Sequence, residues 1–207
     1  MSSFLSASAA EFLENYQRDA PLRWSPDDLA AQQEFVNRRI AGRDWLDWST
    51  PAAALQLTQA RQTQISVGAM EAYDAAVLAG PVVELLELRE LFRQAAPSVR
   101  AAGELIGIIP CLRDNSPESQ RFAEAAARTL WPYHTAEELL EMLLESGWLV
   151  DSSGSGFTAI PRFNEAVLKS QLAFKGFNRV FAGLAAEGYD PKEVGWGELR
   201  FVATRNV

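Results

Sequence analysis

A continuous apolar run, Gly103-Glu-Leu-Ile-Gly-Ile-Ile-Pro110, lies between two stretches of amphipathic, helix-forming sequence. Its shortness and its lack of alternation predict a strand covered on both faces, and such a strand requires helices above and below a sheet. The same succession repeats along the chain. Tyr73-Asp-Ala-Ala-Val-Leu-Ala-Gly80 predicts a second buried strand, and 81–96 an amphipathic helix with Leu85, Leu88, Phe92 and Ala95 on one side. Ser116-Pro117-Glu118 opens a helix to about 130. Thr135-Ala-Glu-Glu138 is a capping box, in which side chain and backbone satisfy each other's orphan donors, leading into Leu139, Leu140, Leu143 and Leu144 before Gly147. Trp148-Leu-Val150 predicts a strand, Ser152-Ser-Gly-Ser-Gly156 a turn into Phe157-Thr-Ala-Ile160, 164–187 a long helix, and 199–204 a closing strand. Alternating strands and helices of these lengths predict an α/β fold with a mostly parallel sheet.

The N-terminal part reads as helical. Ser8-Ala-Ala-Glu11 is a capping box followed by Phe12, Leu13 and Tyr16. Ser25-Pro26-Asp27-Asp28 starts a second helix, with proline in the first turn and acids at the positive end of the dipole. Leu29, Val36 and Ile40 form its apolar stripe, and Gly42 ends it. Trp45-Leu-Asp-Trp48 is a short apolar run before the helix start Ser49-Thr50-Pro51; 52–61 is helix-forming, and Ile65-Ser-Val-Gly68 is a brief strand candidate.

Composition removes several functions. At 207 residues the chain is most simply one domain, with a net charge of −8 that repels phosphate backbones and argues against general nucleic-acid binding. No apolar run reaches the roughly 20 residues that span a bilayer. The opening MSSFLSASAA lacks a basic segment followed by a long apolar core, so a secretory signal is not expected. One cysteine, Cys111, excludes an internal disulfide and fits a cytoplasmic location; within its apolar run it reads as a buried, inert thiol. One histidine and one cysteine cannot assemble a zinc site of the usual ligand types, so no metal is expected. A Ser–His–Asp triad would have to use His134, and no G-x-S-x-G elbow is present.

From Tyr73 through Pro110 the sequence resembles the fourth strand, following helix and fifth strand of class I S-adenosylmethionine-dependent methyltransferases. The turn before the fifth strand, R-x-x-G-G-like in that family, reads Val99-Arg-Ala-Ala-Gly103, with Ala102 where the first glycine usually stands. Tyr133-His-Thr-Ala-Glu-Glu-Leu139 with Glu145-Ser-Gly-Trp148 is similar to the family's T-x-E-E-L…E-x-G-F helix before the sixth strand. Residues 199–204 look like its final antiparallel strand. The resemblance implies a Rossmann-like, mostly parallel sheet whose last strand is antiparallel, shortened on its N-terminal side. It spans 43–207, with a helical insertion near 162–193 and a helical segment at 1–42. It implies S-adenosylmethionine as cofactor.

Two alignments remain open upstream. In one, Trp45-Leu-Asp-Trp-Ser49 and the helix after it resemble the second strand and helix, so that Asp47 is the acid that holds the ribose diol. Gly68-Ala-Met70 then lies near the adenine, with Ala69 where an acid normally stands. In the other, Trp45–Trp48 is the first strand, with the second and third shortened or absent. In both, Asp47-Trp-Ser-Thr50 stands where glycines would let the backbone approach the cofactor's methionine end.

The candidate cofactor contacts are therefore Asp47, Ser49, Gly68, Ala69, Met70 and Gly80. Ligands of open α/β sheets bind beyond the carboxyl ends of the strands, which nominates Cys111, Asp114 and Asn115; on the methyltransferase resemblance these line the substrate side together with Trp131 of the Trp131-Pro-Tyr-His134 cluster. His134, whose charge changes near neutral pH, and Tyr133 beside it are the catalytic candidates. Phe174, Phe177 and Phe181 read as an apolar lid or interface face. Two functions follow. One is a methyltransferase for a small-molecule acceptor. The other is a catalytically silent relative that binds a small molecule or protein partner, as a homodimer or a larger assembly.

Overall fold

The computed structural model describes residues 26–47, 73–79, 88–129, 132–159 and 175–206. Among these, strands β1 (Trp45–Asp47), β2 (Tyr73–Ala79), β3 (Val99–Leu112), β4 (Trp148–Val150), β5 (Gly156–Ala159) and β6 (Trp196–Arg205) form one sheet. Helices α1 (Pro26–Ile40), α2 (Leu88–Ala95), α3 (Pro117–Thr129), α4 (Ala136–Glu145) and α5 (Lys175–Ala186) surround it. The expected helix starting at Ser8, the segments 52–61 and 65–68, and the first turns of the helix expected over 81–96 lie outside the described residues.

The strand order is β1-β2-β3-β6-β4, with β5 also on β6. β1, β2 and β3 are mutually parallel, and β6 runs antiparallel to β3, β4 and β5. Every strand except the last thus points the same way, as expected for a doubly wound sheet closed by one reversed strand.

The apolar runs are continuous because both faces are covered. Alternate residues of β3 and β6 (Leu105, Ile109, Cys111; Leu199, Phe201, Ala203) enter a core with α2 and α4 through Leu88, Phe92, Leu139 and Leu143. Ile106 and Ile108 face the other way, into a core with Val36 and Ile40 of α1, Trp45, Ala75 and Val77. Trp148 is wholly buried in the first core, and its indole N–H donates to the Phe92 carbonyl at 2.9 Å. That bond removes the desolvation cost of a buried donor while the ring adds its apolar area. Gly107 leaves room for Phe201, whose ring atoms would lie 2.1 Å from an added Cβ.

The capping box is present in full: Thr135 Oγ1 accepts from Glu138 N at 3.2 Å, and Glu138 Oε2 accepts from Thr135 N at 2.8 Å. The 152–156 turn, by contrast, does not reverse the chain. β4 pairs with Ala203–Arg205 and β5 with Gly197–Arg200, both on the same edge of β6 and in the same direction. They form one lane broken by a bulge. Across the gap Val202 N donates to Ser155 Oγ at 3.0 Å, and Asp151 N donates to Val202 O at 2.7 Å.

The N-terminal ends of the parallel strands are tied by charge. Arg43 donates to Glu104 Oε2 at 2.5 Å and to Asp74 O at 3.0 Å, and Asp44 N donates to Asp74 Oδ2 at 3.1 Å. Arg100 also pairs with Asp74. The bond from Asp44 N, joined by Arg100, holds the Asp74 carboxyl below its usual range. That end of the sheet is closed by structure, which leaves the opposite end for chemistry.

Candidate functional site

The carboxyl ends of β1, β2 and β3 define the rim. In register Asp47 stands beside Val77 and Ala79 beside Ile108, so β1 ends before β2 and β2 before β3. Beyond Ala79 the exposed edge of β3 is taken up at Leu112, which forms a parallel bridge with Thr135 while its other edge pairs with Trp196. Leu112 N donates to His134 O at 2.9 Å. The segment before α4 is thereby added to the sheet in the lane that β2 vacates, and the capping box below it fixes where α4 begins.

This placement puts His134 on the rim. Its side chain is 26% exposed, with Nδ1 3.6 Å from Glu138 Oε2. Tyr133, the neighbouring catalytic candidate, is instead buried in an aromatic cluster. Its ring meets Phe122 at 5.3 Å and Trp196 at 5.2 Å, both edge-on. Phe181, expected on a lid or interface, is buried and stacks on Phe122 at 5.6 Å. Phe181 thus belongs to the core between α3 and α5, while Phe174 and the side chain of Phe177 lie outside the described residues.

Cys111 is corrected as a substrate contact. It is fully buried among the residues facing α4, and burial pushes its thiol pKa up to about 12. One residue in two along β3 points to that core, and Cys111 is in that phase.

Asp114 is likewise committed to structure. Its Oδ1 accepts from Ser116 N at 3.2 Å and Ser119 Oγ at 3.0 Å, and its Oδ2 accepts from Arg113 Nε at 2.9 Å. Ser119 Oγ in turn accepts from Gly195 N at 3.1 Å. Burial opposes ionisation here, but the bonds from Ser116, Arg113 and Ser119 outweigh it and bring the pKa to about 2. The cluster joins the end of β3, the start of α3 and the start of β6. Asn115 is exposed, and its carbonyl accepts from Gln120 Nε2 at 2.9 Å. Ser49, Gly68, Ala69, Met70, Gly80 and Trp131 lie outside the described residues, as does the side chain of Asp47.

The pairing bears on the two upstream alignments. In a doubly wound sheet of order 3-2-1-4-5, the fourth strand is flanked by the first and the fifth. β2, which resembles the fourth, is flanked by β1 and β3. β1 therefore occupies the first-strand place. Asp47 ends the first strand rather than the second, so the ribose role that belonged to the second-strand alignment loses its position. Asp47 remains at the carboxyl end of β1.

No family model matches the sequence, and no curated protein sequence is significantly similar to it. Solved structures are similar. The [4+2]-cyclase SpnF superposes with a TM-score of 0.57 at 15% identity, over 98% of this chain and 97% of its own. A geranyl diphosphate methyltransferase in complex with SAM gives 0.56 at 13% identity, over 90% of each chain. The geranyl diphosphate C-methyltransferase from Streptomyces coelicolor A3(2), bound to Mg2+, geranyl diphosphate and S-adenosyl-L-homocysteine, gives 0.52 at 13% identity, over 85% of this chain and 77% of its own. This is the class I SAM-dependent methyltransferase fold. At such identities the likeness concerns the fold, and the presence of a cyclase among these structures shows that the scaffold hosts more than one chemistry.

Sequence reasoning missed Gly195, Ser119, Gln32 and Glu198. Gly195 closes on Asp114, whose oxygens would lie 3.1 Å from an added Cβ. Glu198 and Arg200 alternate with Leu199 and Phe201, a pattern that in a two-layer sheet marks a solvated face. Here a helix covers that face.

Proposed function

We propose that the chain is a methyltransferase-like protein that binds S-adenosylmethionine at the carboxyl ends of β1 and β2 and acts on a small-molecule acceptor. The observation that carries this reading is the rim itself. Asp47 ends β1 at the carboxyl end of the parallel strands, where open α/β proteins place their ligands, and His134 is held beside the end of β3. Asp47 is kept as a cofactor contact by that place, together with Ser49, Gly68, Ala69, Met70 and Gly80 along the adjoining chain. His134, Asn115 and Trp131 are assigned to the acceptor side.

Methyl transfer from a sulfonium is an in-line displacement, so the protein's work is to hold the acceptor aligned with the methyl group and to exclude water. When bound, the cofactor supplies the electrophilic methyl carbon. His134, with Glu138 nearby, is assigned the role of taking a proton from an acceptor nucleophile.

The second reading, a silent binding or assembly module, is favoured by one feature: Asp47-Trp-Ser-Thr50 puts bulk where a glycine loop would admit the methionine end. Isothermal titration with S-adenosylhomocysteine separates the two. Micromolar binding that Asp47→Ala weakens supports the first; no heat at millimolar ligand supports the second. Light scattering then tests for the homodimer.

A further inference from the structure

Glu198 is a charged residue in the interior of β6, 1% exposed, that the rim chemistry does not use. Its Oε1 accepts from Arg200 Nε at 2.5 Å, and its Oε2 accepts from Gln32 Nε2 of α1 at 2.5 Å. A buried carboxylate is tolerated only when its charge and its oxygens are satisfied in this way, and removing one partner is costly. These two partners come from two elements, so the contact joins α1 to the last strand.

Helix α1 runs against β3. Just beyond its C-terminal end Arg43 reaches Glu104, early in β3, and Val36 and Ile40 pack on the middle of that strand with Ile106 and Ile108. Gln32 is level with Glu198, whose partner across the ladder is Pro110, near the end of β3. From Gln32 back to Pro26 the helix extends a further ~9 Å. From Pro110 to the last residue of β3, Leu112, the strand extends only ~7 Å. The first turns of α1 therefore stand level with the end of β3, beyond the ends of β1 and β2.

The described contacts of the two halves of α1 differ; the side chains of Pro26, Asp28 and Leu29 lie outside the described residues. Phe35, Val36 and Ile40, its described apolar anchors, lie in the second half. Among the described side chains of the first half, Gln32 is the buried one.

We infer that Gln32, Glu198 and Arg200 form a polar latch that seats the first half of α1 against β6 and makes it a wall of the ligand cleft. The helix is hinged on its apolar second half, and Glu198 is a positioning residue that acts through Gln32. The wall role rests on the function proposed above; the latch itself does not.

Hydrogen exchange read by mass spectrometry on the full chain tests both parts. In the wild-type protein, amides of 26–34 exchange through an opening separate from that of 35–43; equal, concerted exchange of the two halves overturns the latch. Gln32→Met keeps the apolar stem and removes the donor, and it accelerates exchange in 26–34 by about 10- to 100-fold with the strands unchanged. No acceleration overturns the latch as well. S-adenosylhomocysteine then slows exchange of 26–34 in the wild type and leaves the Gln32→Met variant faster. If ligand binds but its dissociation rate is the same in both proteins, the wall role is overturned. If ligand does not bind the wild type, the proposed function fails, while the exchange of the two halves still judges the latch.

Discussion

Ala102 carries a φ of 59°. That left-handed conformation costs a residue with a Cβ roughly 1–2 kcal/mol, whereas glycine adopts it freely and returns about 0.5–1 kcal/mol as lost chain entropy. Ala102→Gly is therefore expected to stabilise the protein by about 0.5–1 kcal/mol, read as a higher urea midpoint at unchanged slope. Its neighbour behaves in the opposite sense. An added Cβ at Gly103 would lie 2.4 Å from Val99 Cγ1 and 2.8 Å from Asp74 O, so Gly103→Ala lowers the same midpoint. The position where this chain departs from the family's glycine pair thus stores strain without altering the fold. The titrating residues give two further outcomes. Asp114 titrates at about 2 in the folded chain against an ordinary 3.8. Its contribution is present above 3.8 and is lost as pH falls towards 2. Asp114→Asn should flatten that part of an acid titration followed by tryptophan fluorescence. Cys111, raised to about 12 against an ordinary 9.0, contributes fully below pH 9 and loses its contribution as pH rises towards 12. At pH 8 it should stay silent to a disulfide reagent until denaturant is added.

At the scale of elements, the bulge between β4 and β5 depends on one hydroxyl. Ser155 Oγ accepts the Val202 N–H that a regular strand would have bonded. Ser155→Ala leaves that donor unpaired and costs about 1–3 kcal/mol, with faster exchange confined to Val202 and its neighbours. Local chemistry explains what the sequence made readable here. The capping box at Thr135 and the stop at Gly147 are self-contained within a few residues, and the structure repeats them atom for atom. The 152–156 turn was readable as a turn, but its direction was not, because a glycine- and serine-rich segment serves a bulge as well as a hairpin. The rim candidates divide in the same way. The rule that places them after the strands is topological, whereas the fates of Cys111 and Tyr133 depended on which core each side chain entered, and that of Asp114 on the hydrogen bonds that hold it. Strand alternation gives a phase, and only the neighbouring helices say which phase is inside.

For the molecule as a whole, the sheet order carries more than any motif. Once β1 lies beside β2, Asp47 stands at the carboxyl end of the parallel strands, where ligands of open α/β sheets bind. Trp48, Ser49 and Thr50 either accommodate a nucleoside cofactor there or fill its place, and the two cases differ in a global observable. A ligand that binds only the folded chain at 100 times its Kd adds about 2.7 kcal/mol of stability, which for a domain of this size raises Tm by roughly 5–10 °C. Thermal unfolding with increasing S-adenosylhomocysteine should therefore show a concentration-dependent rise that Asp47→Ala reduces. His134→Ala should leave it unchanged, because His134 is assigned to the acceptor side. A Tm that stays flat to millimolar ligand in the wild type means that the bulk after Asp47 fills the pocket, and the fold then serves binding of another kind. A rise that His134→Ala also abolishes would place the cofactor against the end of β3 rather than β1, and would reverse the assignment of the two sides of the rim.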